Sequence, residues 1–118
     1  MYSQAWRLFL VMTVFKRYLD TIYIIVDGFH VGHARLDYED KPCLYVSLVK
    51  IKKRYRRKGY GKLLVNYITD TFINYESVSL YVSIYNPNAI ALYRKCGFFI
   101  SYLSQGEHPH YLMTYKLT

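Results

Sequence analysis

Residues 4 to 19 are apolar on nearly every side, so no period separates helix from strand there, and the length of the stretch favours a helix. The pattern sharpens afterwards. Tyr23 to Val26 is a short β-branched and aromatic run that ends at Asp27-Gly28, a strong tight-turn pair. A second run resumes at Val31 and reaches Tyr38, which predicts a hairpin. Glu39, Asp40, Lys41 and Pro42 supply the next turn. Cys43 to Ile51 then reads as a third strand of an antiparallel meander. After a polar loop, Tyr60, Leu63, Leu64, Tyr67, Ile68 and Phe72 recur at helical spacing and form one apolar stripe. Ser77 to Tyr85 is strand-like again. Asn86-Pro87 opens a second helix, since Asn is a good N-cap and Pro is favoured at the first helical position; Gly97 is placed to close it. Residues 98 to 103 and 111 to 117 predict two final strands around a turn at Gly106 to Pro109. The expected order is helix, three strands, helix, strand, helix, two strands, an α/β arrangement with a mixed sheet.

The chain has 118 residues, 53% of them hydrophobic, which suits one domain over residues 1–118 with a real core and argues against disorder. No repeat, linker or internal boundary is visible. Fifteen tyrosines supply apolar bulk with a polar tip but by themselves point to no function. Net charge is +8, and eight of the 16 Lys and Arg fall between Lys50 and Lys62, with no Asp or Glu between residues 41 and 69. A patch this dense attracts phosphate, nucleic acid or an acidic protein surface, unless it is simply a solvated face. Cys43 and Cys96 are far apart and form no CxxC, which argues against a disulfide framework and fits a reducing compartment. His30, His33, His108 and His110 show no zinc-ligand spacing with them, so no metal is expected. Leu8 to Phe15 is much shorter than the ~20 residues of a membrane span and lacks a signal-peptide cleavage site. A cytoplasmic protein without membrane contact is the expectation.

The segment that carries chemistry is strand, basic loop, two glycines, helix. Arg56, Gly59 and Gly61 form Arg-x-x-Gly-x-Gly at the helix start. The first N–H groups of a helix have no intrahelical partner, and the dipole adds partial positive charge there. Glycines let a phosphate approach the backbone, and Arg56, Arg57, Lys58 and Lys62 add full charges around that point. A Walker A loop is excluded, because Arg56 stands five before Gly61 and Leu63 follows Lys62; a dinucleotide fingerprint is excluded because Leu64 stands at its third glycine.

A second constellation, Asn86-Pro87-Asn88-Ala89-Ile90-Ala91-Leu92-Tyr93-Arg94-Lys95-Cys96-Gly97-Phe98, begins 25 positions after Gly61. Together the two segments resemble the GNAT superfamily of acetyl-coenzyme A-dependent N-acetyltransferases, over roughly residues 22 to 117. The resemblance implies a mostly antiparallel central sheet, splayed open between two parallel strands, Cys43 to Ile51 and Ser77 to Tyr85, and flanked by helices. It implies acetyl-coenzyme A as co-substrate. The pantetheine arm would lie in the splay beside backbone groups of Val49, Lys50 and Ile51. The pyrophosphate would sit on the N–H groups from Arg57 through Lys58, Gly59, Tyr60 and Gly61 to Lys62, with Arg56 alongside. Asn86 matches the asparagine that touches the coenzyme arm, and Tyr93 the tyrosine that often protonates the leaving thiolate. The chemistry agrees: a neutral amine attacks the thioester directly, so proximity, a polarised carbonyl and a proton for sulfur are what is needed. Without the surrounding motif, Tyr93 would be one more core-edge tyrosine.

Two departures matter. The strand before the loop often bears a carboxylate base in that family; here Leu44 to Val49 has none. Asp37, Glu39, His33, Glu107 and His108 are candidates only by default, and no base is assigned. About 20 residues precede Tyr23, where the family usually has a strand and one or two helices. An acceptor side left open favours a protein or other macromolecular amine over an enclosed small one, and a homodimer could complete it. An aminoacyl-tRNA and a small amine stay open as acceptors beside a protein. The competing readings are a basic nucleic-acid-binding protein and a non-catalytic coenzyme A-binding module of the same fold.

Overall fold

The computed structural model describes residues 12–38 and 42–118. Seven strands form one sheet: β1 (Thr13–Tyr18), β2 (Thr21–Val26), β3 (Phe29–Asp37), β4 (Cys43–Ile51), β5 (Ser77–Ser83), β6 (Phe99–Ser104) and β7 (His110–Lys116). Helix α1 (Tyr60–Thr71) joins β4 to β5, and α2 (Pro87–Lys95) joins β5 to β6. The strand order is β1-β2-β3-β4-β5-β7-β6, and every neighbouring pair is antiparallel except β4 with β5.

The end of the N-terminal stretch corrects the expected helix. Thr13–Tyr18 is an edge strand, paired with β2 from Thr13↔Val26 to Tyr18↔Thr21 across the two-residue turn Leu19-Asp20. Tertiary pairing decides here: the β-branched Thr13 and Val14 extend readily, and Phe15 gains a stacked contact with Tyr67 of α1 at 4.2 Å. The remainder of the expected helix, residues 4–11, lies outside the described residues, as does Glu39.

One face of the sheet carries the core. Ile22 and Ile24 of β2, Ala34 and Leu36 of β3, Leu44 and Val46 of β4, Val78, Leu80 and Val82 of β5 and Met113 of β7 meet Leu64, Val65, Ile68 and Phe72 of α1 and Tyr93 and Cys96 of α2. The alternation along each strand fixes this face, and the i, i+4 stripe of α1 closes over it. Each fully buried Ile or Leu contributes about 1.5–3 kcal/mol of transfer free energy. Both described helices pack on this face. The far face bears Tyr23, His33, Arg35, Tyr45, Leu48, Lys50, Tyr81 and His110. On it a hydroxyl chain crosses four strands, from the Cys43 thiol to Ser79 Oγ (3.4 Å), Ser79 to Thr114 (3.0 Å) and Thr114 to Ser101 (2.9 Å).

Two local features open the sheet. The β3–β4 register runs Arg35↔Leu48 and then Leu36↔Val46, so Ser47 is an extra residue, a bulge. The parallel pairing of β4 and β5 covers only Cys43↔Ser77 to Val46↔Leu80 and stops there, although β4 continues to Ile51 and β5 to Ser83. The bulge turns Val49 and Ile51 toward the helices and leaves Leu48 and Lys50 on the far face. Beyond Val46 the sheet therefore has a gap, bordered by β4 on one side and β5 with β7 on the other.

Candidate active site

A cleft of about 660 Å³ lies between the gap, the start of α1 and one face of α2. It is lined by Val49, Lys50, Ile51, Arg56, Arg57, Gly59, Tyr60, Gly61, Lys62, Asn86 and Tyr93, every residue singled out from the sequence except Lys58, which stands exposed in the turn beside it. Tyr55, Asn88, Ala89, Ala91, Leu92 and Lys95 line it as well. The signal for most of these was present: positions 88, 91, 92 and 95 share the helical face set by their spacing to Asn88.

The floor of the cleft is the start of α1 with its basic loop. Gly59 caps α1 with φ of 86°, a left-handed conformation that glycine adopts without a Cβ penalty. The first bond of the helix is from Leu63 N–H to the Gly59 carbonyl at 3.1 Å, so the amides of Tyr60, Gly61 and Lys62 lie ahead of the ladder. Gly61 has a different role from Gly59. A Cβ there would stand 3.2 Å from Leu92 Cδ2 and 3.7 Å from Ile51 Cγ1, so its bareness lets α2 and β4 close against α1. Arg56 is anchored, its Nε donating to the Ile51 carbonyl at 2.8 Å, which leaves its terminal nitrogens to face the cleft. Arg57 takes φ of 63°, a strained position for a residue with a Cβ, found here in the basic loop ahead of α1.

The opposite wall comes from α2. Asn86 Oδ1 accepts the Ala89 N–H at 3.2 Å, an N-cap that leaves the Asn86 carboxamide NH₂ unused by the helix. Tyr93 is 8% exposed, packed against Phe98 at 6.1 Å, and its hydroxyl has no hydrogen-bond partner among the described residues. Burial first, then the neighbouring Cys96, pushes its phenol up to about 12. Burial likewise raises the Cys96 thiol, and the Lys62 ammonium reaching across from α1 partly offsets it.

The default bases among the described residues do not line the cleft. Asp37 ends β3 opposite Tyr45, and Glu107 and His108 are exposed in the β6–β7 turn. His33 is held below its ordinary range by burial and then by Lys50, Arg35 and Lys52. Among the described residues, no group of three or more His, Cys, Asp and Glu could hold a metal, no disulfide forms, and no helix is long and apolar enough to cross a membrane.

Comparison with known proteins agrees with this architecture. The fold matches a chimera of spermidine N-acetyltransferase SpeG from Vibrio cholerae and hSSAT with a TM-score of 0.75 at 20% identity, covering 82% of this chain and 66% of that one. It matches Ard1 from Thermoplasma volcanium with a TM-score of 0.74 at 26% identity, covering 99% of this chain and 81% of that one. A nourseothricin acetyltransferase matches with a TM-score of 0.73 at 21% identity, over 83% of this chain and 65% of its own. The chain thus spans about two thirds of the spermidine and nourseothricin enzymes it resembles. No curated protein matches it in sequence. The sequence profile of the acetyltransferase (GNAT) family matches residues 5–98, and the chain belongs to that family of enzymes, which use acetyl-coenzyme A as co-substrate.

Proposed function

We propose that this protein moves the acetyl group of acetyl-coenzyme A to an amine that approaches from the far face of the sheet. The observation that carries the reading is the joining of an uncommitted helix start and its cations to a buried phenol by one cleft that opens at the gap between β4 and β5. The coenzyme's diphosphate lies on the amides from Arg57 to Lys62, with Arg56, Arg57 and Lys62 as counter-charges and Lys58 at the rim. Its pantetheine amides take the strand groups of Val49, Lys50 and Ile51 that have no β5 partner, and Asn86 donates its carboxamide. Acetyl-coenzyme A supplies the activated acyl group. The amine nitrogen attacks the thioester carbon, the C–N bond forms as C–S breaks, and the sulfur takes its proton from Tyr93. A phenol raised to about 12 holds that proton throughout the physiological range, as a general acid must.

The far face bears on the acceptor. His33, Arg35, Lys50 and Leu48 stand on one rim of the gap and Tyr81 and Ser83 on the other, with Asp37 at the distant end of β3. A polyamine keeps positive charge on the nitrogens that do not react, and this rim would repel it. An amine on an uncharged or anionic carrier, such as a peptide α-amine, fits the charge better. The expected result is that millimolar acetyl-coenzyme A raises the melting temperature by several degrees, since a ligand bound by the native state alone stabilises it. Thiol release should be faster with acidic peptides than with spermidine. No thermal shift would remove the acetyltransferase reading, and a clear preference for spermidine would remove the acceptor assignment.

A further inference from the structure

The reading above supplies an acid for sulfur but no base for the amine, and β4, where an acid side chain would be sought, offers only Cys, Leu, Tyr, Val and Ser up to Val49. We infer that His110, the first residue of β7, is that base. The inference rests on the acetyl-transfer reading and adds a second catalytic group to it.

Three observations converge on this imidazole. The first is its place. Beyond Leu80, β5 has lost β4 as a partner and is held by β7 alone, through Tyr81↔Leu112, Val82↔Tyr111 and Ser83↔His110. Leu80 and Val82 point to the helices, so Tyr81 and Ser83 point to the far face at the rim of the gap, and His110, opposite Ser83, points to the same face one strand behind that rim. The second is its orientation. The His110 ring meets Tyr81 edge-on with centroids 5.0 Å apart, and Tyr81 stacks in turn over Tyr45 of β4 at 6.3 Å, spanning the strands that border the gap. His33, the alternative imidazole, turns the other way, toward Tyr23 of β2, with centroids 6.0 Å apart. The third is its tautomer. His110 Nδ1 lies 3.0 Å from the His108 carbonyl oxygen. A carbonyl can only accept, so Nδ1 carries the hydrogen and the neutral ring presents the Nε2 lone pair. A backbone carbonyl that fixes Nδ1–H is how a histidine is held ready to take a proton at its other nitrogen. The titratable groups around the ring are Tyr81 on β5, Tyr45 beyond it on β4, and Glu107 and His108 in the turn.

The step balances without another reactant. The amine nitrogen gives its electron pair to the thioester carbon and one proton to His110 Nε2. The C–S pair goes to sulfur, which takes the Tyr93 proton. His110 returns its proton to solvent and Tyr93 regains one from it, leaving amide and free thiol.

Two measurements test this on the intact chain. Nitrogen NMR of the histidine rings should show His110 as the Nδ1–H tautomer, and its Nε2 signal should move when acetyl-coenzyme A is added. An Nε2–H tautomer, or a signal indifferent to a coenzyme that does bind, overturns the assignment. With a peptide α-amine as acceptor, His110→Gln should lower kcat about 100-fold, with acetyl-coenzyme A affinity and melting temperature unchanged. The dependence of kcat on pH should change in His110→Gln relative to the wild type, as loss of a proton acceptor requires. Imidazole added to His110→Ala should restore part of the rate. Full activity in His110→Gln with an unaltered pH dependence would remove His110 from the reaction while leaving acetyl transfer standing. A wild type that binds no acetyl-coenzyme A would remove both.

Discussion

Tyr93 is a packing residue to which the proposed function also gives chemistry. Its ring closes the core against Phe98, and that same burial raises the phenol. The folded value lies above the unfolded value of 10.0, so the associated stability is complete below pH 10 and is lost as pH climbs through about 12. The effect is on the order of 2–3 kcal/mol, at about 1.4 kcal/mol for each unit of displacement. Melting temperature should therefore fall with rising pH above pH 10 in the wild type, and less steeply in Tyr93→Phe. The same variant should lose about 100-fold in kcat while keeping its affinity for acetyl-coenzyme A. Equal turnover in both proteins would deny Tyr93 its acid role. Tyr93 was legible because Asn86 before it and Gly97-Phe98 after it set its register. His110 was not, because a lone histidine at a strand start acquires meaning only through its hydrogen bond to the His108 carbonyl and its contact with Tyr81, neither of which spacing reveals.

At the scale of elements, both helices depend on glycine for different reasons at different ends. Gly59 begins α1 and Gly97 ends α2, each with φ near 90°. A Cβ on Gly59 would meet nothing within 4 Å, whereas one on Gly97 would stand 2.9 Å from the Tyr115 ring of β7. Gly59→Ala should thus cost only the backbone penalty, about 1–2 kcal/mol, and Gly97→Ala more. Urea denaturation of the two variants measures the difference, and adding Tyr115→Leu to Gly97→Ala should recover the excess. A Gly97→Ala variant no weaker than Gly59→Ala would show that the ring gives way freely. The α1 stripe, the Asp27-Gly28 hairpin and the Asn86-Pro87 start were all readable, since each is a local preference that the fold leaves intact. Thr13–Tyr18 was not, because an apolar segment without a period takes its form from its neighbours, here β2 and Tyr67. Nor was the end of the β4–β5 pairing, since the Ser47 bulge belongs to a register between strands and not to any one of them.

For the molecule as a whole, the basic stretch from Lys50 to Lys62, joined by Lys95, divides into two populations. Lys50, Arg56, Arg57, Lys62 and Lys95 line the cleft, whereas Lys52, Lys53, Arg54 and Lys58 stand outside it. Coulomb energy falls with distance and is screened beyond about 10 Å at 0.1 M salt, so the first group should govern coenzyme affinity. Arg56→Gln with Arg57→Gln should weaken acetyl-coenzyme A binding at least tenfold, and Lys53→Gln with Arg54→Gln by less than threefold, as read by calorimetry. Comparable losses from the two pairs would mean that the field of the entire patch, and not the local loop, holds the coenzyme. The interrupted pairing of β4 and β5 carries a further consequence. Most sheets keep their unsatisfied edges at the periphery, where a charge or a bulge discourages other chains from adding to them. This sheet keeps one in its interior, between halves joined directly by the short Cys43–Val46 pairing. A guest bearing amides of its own can be received there as a missing strand would be, and its arrival would bind the two halves of the sheet to each other as firmly as to itself.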